Sequence, residues 1–384
     1  MAFSGKATYS AGATLPEIVD DISDLVSIVA PHETPLLDAL GDPLGFATST
    51  RHEWLEDELL PNTDAINQPA LNDAAMNTTS ITVANGTRFR IGDLVQSAGS
   101  REVLLVTNVV TNVITITRGY GGTTKEALTH QQALMILGNA ALEGADAGAA
   151  RFTIRSRRSN YTQIFSATAQ VSGTEAAVRQ IGIEDELDYQ KANRLRELLR
   201  DLENTVINGV APEATQEGSS TVRRTLRGIL ASVTTNAYTP GGGQIPSDGD
   251  LAEDHVNAML RAIWERSGGK PDLIVCGGAQ KRRINGFIHS TQRFAPTSET
   301  YKNLVSSYES DYGVCRVVLS RFVPADTVLF LDSSRVSVVP LIGRSFQFKP
   351  LAVSGDYQSG EVIGEYTLEL KSEQTHGVLR GLST

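Results

Sequence analysis

The 384-residue chain is 40% apolar and 20% charged with a formal net charge of −10, a globular composition long enough for two or three domains with buried cores. Its basic residues are scattered rather than clustered as a grip on a phosphate backbone requires, and no apolar run of about 18 residues could span a membrane. Cys276 and Cys315 show no paired spacing, which suits buried thiols in a reducing compartment rather than a disulfide framework.

Residues 1–50 read as an arm. Small and polar residues dominate positions 1–14, a poor recipe for a core, and no apolar stretch follows the start as a secretory signal requires. Ile18, Ile22, Leu25, Val26 and Val29 then recur at helical spacing, with Asp20, Asp21 and Asp24 opposite and Pro31 as the stop. One short amphipathic helix cannot bury its stripe alone. It must dock on its own body or on a neighbour, and the pattern leaves both open.

Residues 51–70 run from an amphipathic start into Pro61 and Pro69, an extended, turn-rich path. Residues 72–137 then read as a small β module spliced into an extended segment. Ile81 and Val83 lead to Asn85-Gly86, a hairpin signal, followed by Phe89, Ile91, Leu94 and Val95. Val103–Val110 and Val113–Thr117 meet at a second hairpin, Thr111-Asn112. Arg118-Gly-Tyr-Gly-Gly-Thr123 is a tight corner, and Ala133–Leu137 closes the unit as a small barrel or sandwich. The extended run resumes at Arg151–Arg155, with Phe152, Ile154, Ile164 and Phe165 carrying the return strand.

Residues 183–208 predict one long helix. Leu187, Leu195, Leu198, Leu202 and Val206 form its stripe. Asp188/Lys191, Arg194/Glu197 and Arg200/Glu203 are charge pairs at i,i+3, and Gly209 stands where a left-handed C-terminal glycine belongs. At about 1.5 Å per residue such a helix crosses a whole domain. Thr239–Gly249 is a Gly/Pro loop. Leu251–Ser267 predicts a helix with Val256, Leu260, Ile263 and Trp264 on one stripe, and Asp272–Cys276 a buried strand entering a helix through Gly277-Gly278. Val314–Leu319, Val328–Leu331 and Val336–Leu341 are further strands. Tyr366, Leu368 and Leu370 alternate with Glu365, Thr367, Glu369 and Lys371 as a strand buried on one face. The class is α+β with a β insertion.

No catalytic constellation accompanies these elements. The chain has no G-x-S-x-G elbow, no phosphate-binding glycine-lysine loop and no H-E-x-x-H. His32, His52, His130, His255, His289 and His376 lack a second ligand at metal spacing. Gly277-Gly278 lacks the third glycine and the acidic residue of a dinucleotide site. Glu56, Asp57 and Glu58 are consecutive and cannot share one face as an acid/base pair. Neither a catalytic, cofactor-binding nor metal site is expected. The short basic groups Arg155/Arg157/Arg158, Arg223/Arg224 and Lys281/Arg282/Arg283 suit solvated faces or subunit salt bridges better than a DNA groove.

Several segments resemble the major capsid (major head) proteins of tailed bacteriophages. Trp54-Leu-Glu-Asp-Glu58 is similar to the opening of that family's extended loop, and Arg118–Thr123 to the corner of a barrel that one branch inserts there. Residues 183–208 resemble the spine helix. Arg227-Gly-Ile-Leu230, Pro271–Lys281, Leu331-Asp332, Gly355-Asp356, Glu365–Glu369 and His376-Gly377 resemble signatures of the central domain and closing strand, in the right order.

The resemblance implies the capsid fold: an N-terminal arm (1–50), an extended loop (51–70 and 138–175) carrying an inserted β-barrel (71–137), a peripheral domain (176–224 and 343–384) with the spine helix, and an axial domain (225–342). It implies self-assembly into pentamers and hexamers of an icosahedral or prolate head, built in the host cytoplasm and enclosing double-stranded DNA by confinement. The partners implied are further copies, a portal, a separate scaffold and a decoration protein; no cofactor or membrane is implied. Ile18, Ile22, Leu25, Val29, Trp54, Leu55, Glu56, Asp57, Arg155, Arg157, Arg158 and Tyr161 are the expected interface residues. The chain departs from the branch that cross-links its shell through a lysine in the extended loop, since residues 51–70 and 138–175 contain none and the nearest is Lys125. No covalent chainmail is expected. A cellular encapsulin-like compartment, or a surface-binding protein using the β module, are the competing readings.

Overall fold

The structure is a computed structural model describing residues 33–43, 45–144, 146, 150–178, 185–211, 217–291, 307–352 and 355–384. The arm stripe of Ile18, Ile22, Leu25 and Val29 lies outside these residues, as do residues 183 and 184 of the long helix. The chain forms two compact units: Leu55–Ser156, and the remainder on either side of it.

A short helix α1 (Pro35–Leu40) precedes strand β1 (Arg51–Glu56). The first unit then contributes β2 (Thr63–Ala65), β3 (Ser80–Thr82), β4 (Asp93–Ser97), β5 (Val103–Val110), β6 (Val113–Thr117) and β7 (Ala133–Asn139). They form one sheet in the order β2-β7-β4-β5-β6-β3. An antiparallel bridge between Ile66 and Val83 joins the two edges, with Asn67 N donating to Thr82 O (2.8 Å) and Ala84 N to Ala65 O (2.9 Å). The sheet therefore closes on itself, which removes its free edges. Alternate side chains point inward: Ile81, Val95, Leu104, Val106, Ile114, Ile116 and Leu134 are buried in one apolar core.

The Thr111-Asn112 hairpin forms as the β-branched runs predict, with Val110 opposite Val113. The Asn85-Gly86 hairpin does not. β3 pairs with β6 rather than β4, and Asn85 caps a single 3₁₀ turn by accepting from Thr87 N at 3.0 Å. Gly86 serves close approach instead of a tight turn. Its N–H donates to Asn112 Oδ1 (3.0 Å), and a Cβ there would lie 1.8 Å from Thr111 O. The sheet also begins upstream of residue 71, because β2 pairs with β7.

The second unit resumes with β8 (Ser156–Tyr161), β9 (Gln163–Ser172), α2 (Gly173–Ala177), the long α3 (Glu186–Asn208), α4 (Ile229–Ser232), β10 (Ala237–Tyr238) and α5 (Glu253–Ser267). It continues through β11 (Leu273–Cys276), α6 (Gly278–Thr291), β12 (Ser307–Ser310), β13 (Gly313–Leu319), β14 (Val328–Leu331), β15 (Val336–Pro340), β16 (Gln347–Pro350), β17 (Tyr357–Leu370) and β18 (Gly377–Leu379). A mixed six-stranded sheet runs β10-β18-β14-β11-β13-β12. Its central strands β11 and β14 are buried at every residue, and the strand alternation divides them between two cores. Leu273, Val275, Leu329 and Leu331 share one with Leu198, Leu202 and Val206 of α3. Ile274, Cys276, Val328 and Phe330 share the other with Val256, Met259, Leu260 and Ile263 of α5. Helices on both faces explain why these strands read as continuous apolar runs.

A second sheet is organised by β17, paired with β9 along one stretch and with β16 and β15 along others. Phe348 lies over Gly360, where a Cβ would come within 1.9 Å of its ring. Lys191 of α3 sits 4.3 Å above that ring, a cation–π contact. Glu365 and Thr367 are buried as well as Leu368, so β17 is covered on both faces here and not on one as the alternation suggests.

Three further local expectations are revised. Gly209 ends α3 at φ −56°, outside the left-handed region, and accepts from Gly228 N at 2.8 Å. Arg200 pairs with Asp201 (3.5 Å) and not Glu203. Glu203 is fully buried and accepts from Leu36 N (3.2 Å), Leu37 N (3.5 Å) and Ser320 Oγ (2.8 Å), so it ties α1 to the long helix, and burial pushes its carboxyl above the ordinary range. The other two pairs form at 2.7 Å each. Trp264 lies off the buried stripe of α5, 56% exposed and tilted against Tyr312.

The segments at the end of the six-stranded sheet meet around His376. Phe330 pairs with Gly377. Asp332 N donates to His376 Nδ1 (3.2 Å), leaving Nε2–H to donate to Lys371 O (3.2 Å). Burial lowers this imidazole to about 4. Because the unfolded histidine takes up a proton near its ordinary 6.5 and the folded one does not, stability is lost as pH falls from about 6.5 to 4, by about 3 kcal/mol. His376→Asn, whose Oδ1 can still accept from Asp332, should flatten that slope in denaturant titrations across pH 4–7. An unchanged slope would place the acid sensitivity elsewhere.

Candidate assembly interface

β1 and β8 pair as a two-stranded ribbon, and the boundary between the two units falls within it, at Trp54 and Arg157. Two strands alone are marginal in water. The root of this ribbon is held by buried polar groups. Asn160 donates to Arg227 O (2.9 Å) and Leu368 O (2.8 Å) while its Oδ1 accepts from Arg227 N and Tyr161 N (both 2.9 Å). Thr162 Oγ1 donates to Glu365 Oε1 (2.6 Å), and Thr162 N to Thr50 O (2.9 Å). Arg224 bridges Thr162 O (2.7 Å) and Glu365 (2.5 Å), and Arg344 reaches the other oxygen of Glu365 at 2.8 Å. Thr367 Oγ1 donates to Tyr161 O (3.0 Å). His52 lies 3.3 Å from Glu369, whose carboxyl is lowered by this bond and by Lys371.

Beyond the root the character changes. Arg155 faces Asp57 at 3.8 Å and Thr153 donates to Asp57 at 3.0 Å, both exposed, and solvated pairs of this kind contribute little. Leu59, Leu142, Phe152 and Ile154 are 80–87% exposed. Phe152 and Ile154 belong to no strand, since β8 starts at Ser156. Burying one such side chain is worth roughly 1.5–3 kcal/mol, so each holds binding energy that this unit does not use.

The expected interface residues divide accordingly. Leu55 and Asp57 are exposed, Glu56 is half-buried, and Trp54 is half-buried with its ring 5.9 Å from His52. Arg155, Arg157 and Arg158 are exposed, Arg157 lying 3.3 Å from Glu53. Tyr161 is buried against its own chain. Of the other basic groups, Arg224 belongs to the internal knot, Lys281 is buried and donates to Val317 O (3.2 Å), and Arg283 pairs with Asp250 (3.0 Å). The knot itself escaped sequence reading; its only trace is a polar Asn-Tyr-Thr at the end of β8. Phe152 and Ile154, expected on the return strand, instead precede it and are exposed.

The described residues offer little chemistry. No cluster of three or more His, Cys, Asp or Glu side chains is arranged to hold a metal among them. Burial pushes Cys276 to about 12 and Cys315 to about 11, leaving both as unreactive thiols. No described helix is long and apolar enough to cross a membrane.

Comparison with known proteins completes this picture. No curated protein matches the chain. Among solved structures, the capsid asymmetric unit of cyanophage A-1(L) is 10% identical, covers 96% of this chain and 98% of its own, and has a TM-score of 0.52. A structure from Mycobacterium phage Adephagia is 11% identical with 94% of each chain covered and a TM-score of 0.47. The holo-SrpI encapsulin complex from Synechococcus elongatus PCC 7942 is 12% identical, covers 60% of this chain and 78% of its own, and has a TM-score of 0.42. The family model for the SU10 major capsid protein matches residues 4–383. The chain therefore belongs to the SU10 major capsid protein family and has the fold of a phage capsid subunit.

Proposed function

We propose that this subunit assembles into pentamers and hexamers that close into an icosahedral or prolate head around a double-stranded DNA genome, in the cytoplasm of the infected host. Its role is structural rather than catalytic. The observation that carries this reading is the exposure of four large apolar side chains, Leu59, Leu142, Phe152 and Ile154, in the segments flanking the closed sheet of a chain that belongs to a capsid-protein family. A surface like this in a family of capsid proteins is best used by burial on an adjacent copy.

In this reading residues 1–50 form an arm, 51–62 and 140–175 the extended loop, 63–139 the closed sheet it carries, 176–224 and 343–384 the peripheral domain, and 225–342 the axial domain. A portal, a separate scaffold and a decoration protein are the partners proposed. DNA is confined rather than gripped, in keeping with a net charge of −10 and with the pairing of Arg155, Arg157, Arg224 and Arg283 to carboxylates. Lysine-free loop segments support a shell without covalent cross-links, so mature particles boiled in denaturant should run as monomers. An encapsulin-like shell fits less well, because the family matched over nearly the whole chain is a major capsid protein.

Both native cysteines are buried, so a single introduced thiol can report on the loop. Leu59→Cys and Phe152→Cys should react readily with maleimide in the unassembled subunit and be protected about tenfold or more in particles. Equal labelling in both states would show that the loop does not lie against a neighbour.

A further inference from the structure

The root of the ribbon is built from the wrong materials for mere adhesion. An apolar root would bury area and tolerate sliding; this one spends an asparagine, two threonines, a glutamate and two arginines on bonds whose direction matters. Asn160, Thr162, Glu365 and Thr367 are all buried. Asn160 alone ties three chain segments together, through Arg227, Leu368 and its own strand. Arg224 reaches the same two groups that meet each other, Thr162 and Glu365, so the knot is a closed ring of hydrogen bonds. Outside the ring, the described contacts between residues 55–59 and 151–156 include exposed ones, Arg155–Asp57 at 3.8 Å and Ser156 Oγ to Glu56 O at 3.5 Å.

We propose that Asn160, Thr162, Glu365 and Arg224 are positioning residues for assembly, which weld the inner half of the β1–β8 ribbon to β17 so that the loop adjusts only beyond Trp54 and Arg157. The proposal rests on the reading of this segment as the loop that meets a neighbouring copy. It adds where that loop is rigid and which side chains make it so. A rigid root lets the outer segment seek its partner without paying to order the whole loop.

The test uses the full chain with two substitutions at one position. Thr162→Val removes the hydroxyl while keeping the shape; Thr162→Ser keeps the hydroxyl. In the unassembled subunit, Thr162→Val should speed amide hydrogen exchange about tenfold at residues 51–54 and 157–161, while the amides of β11 and β14 exchange as before. The yield of closed particles should fall by a similar factor, about tenfold, and Thr162→Ser should restore both properties. Exchange at the root unchanged in Thr162→Val, or particles at the wild-type yield despite faster exchange, would overturn the proposal. A wild-type chain that forms no particles would refute the loop reading instead, and the exchange data would still decide whether the root is locked.

Discussion

Replacing Arg118 by methionine is expected to unfold the Leu55–Ser156 unit while leaving the rest of the subunit folded. Arg118 is buried with its guanidinium between two acids. Nε and Nη2 contact Glu102 Oε1 and Oε2 at 2.8 Å each, and Nη1 contacts Asp73 Oδ2 at 2.7 Å. The acids in turn organise backbone: Glu102 accepts from Gly119 N (3.0 Å) and Glu126 N (2.9 Å), and Asp73 from Thr78 N and Leu128 N (both 3.0 Å). Burial raises the Asp73 carboxyl, but bonds from Thr78, Leu128 and Arg118 outweigh it and hold it at about 2; Glu102 is lowered in the same way.

Removing the arginine leaves two buried carboxylates without their cation, which costs about 3–5 kcal/mol. A unit of this size has little more stability than that to lose. Amide exchange in β5 and β6 is the measurement, and both tryptophans lie outside Leu55–Ser156, so their fluorescence independently follows the other unit. Protection of β5 and β6 retained in Arg118→Met would contradict the prediction. A depressed carboxylate stabilises above its ordinary pKa and ceases to do so below its folded one, so the Asp73 contribution should fade between pH 3.8 and about 2.

The second large effect concerns assembly alone. The triple change Leu59→Ser, Phe152→Ser and Ile154→Ser removes apolar surface that is 80–87% exposed in the subunit, so stability should move by no more than about 0.5 kcal/mol. If these three side chains are covered by a neighbour, the same change forfeits roughly 5 kcal/mol or more at every contact, and particle yield should drop at least about a thousandfold. Monodisperse, folded subunits without particles are the expected outcome. Normal particles from the triple variant would mean that other surfaces carry the assembly.

What could be read in the sequence follows from the range of the interactions involved. β11 was evident because four consecutive apolar residues are buried on both sheet faces, and the long helix because its stripe keeps one period over 23 residues. The Thr111-Asn112 hairpin needed only its two flanking β-branched runs. Glu203 was misread because its i,i+3 distance from Arg200 is also what a surface pair shows; its true partners lie 117 and 167 residues away. Arg118 looked like part of a glycine corner, since Asp73 and Glu102 stand 45 and 16 residues before it. The Asn160 knot spans up to 208 residues and has no local pattern at all. Trp264 shared a helical stripe on paper, but one position of rotation turned it to the surface.

The central claim is that this subunit builds a shell from copies of itself. The most direct test is electron microscopy of the expressed chain, with light scattering for mass. Pentamers, hexamers or closed particles are the predicted result. A monodisperse monomer that persists at high concentration, alone and with the scaffold supplied, would contradict it.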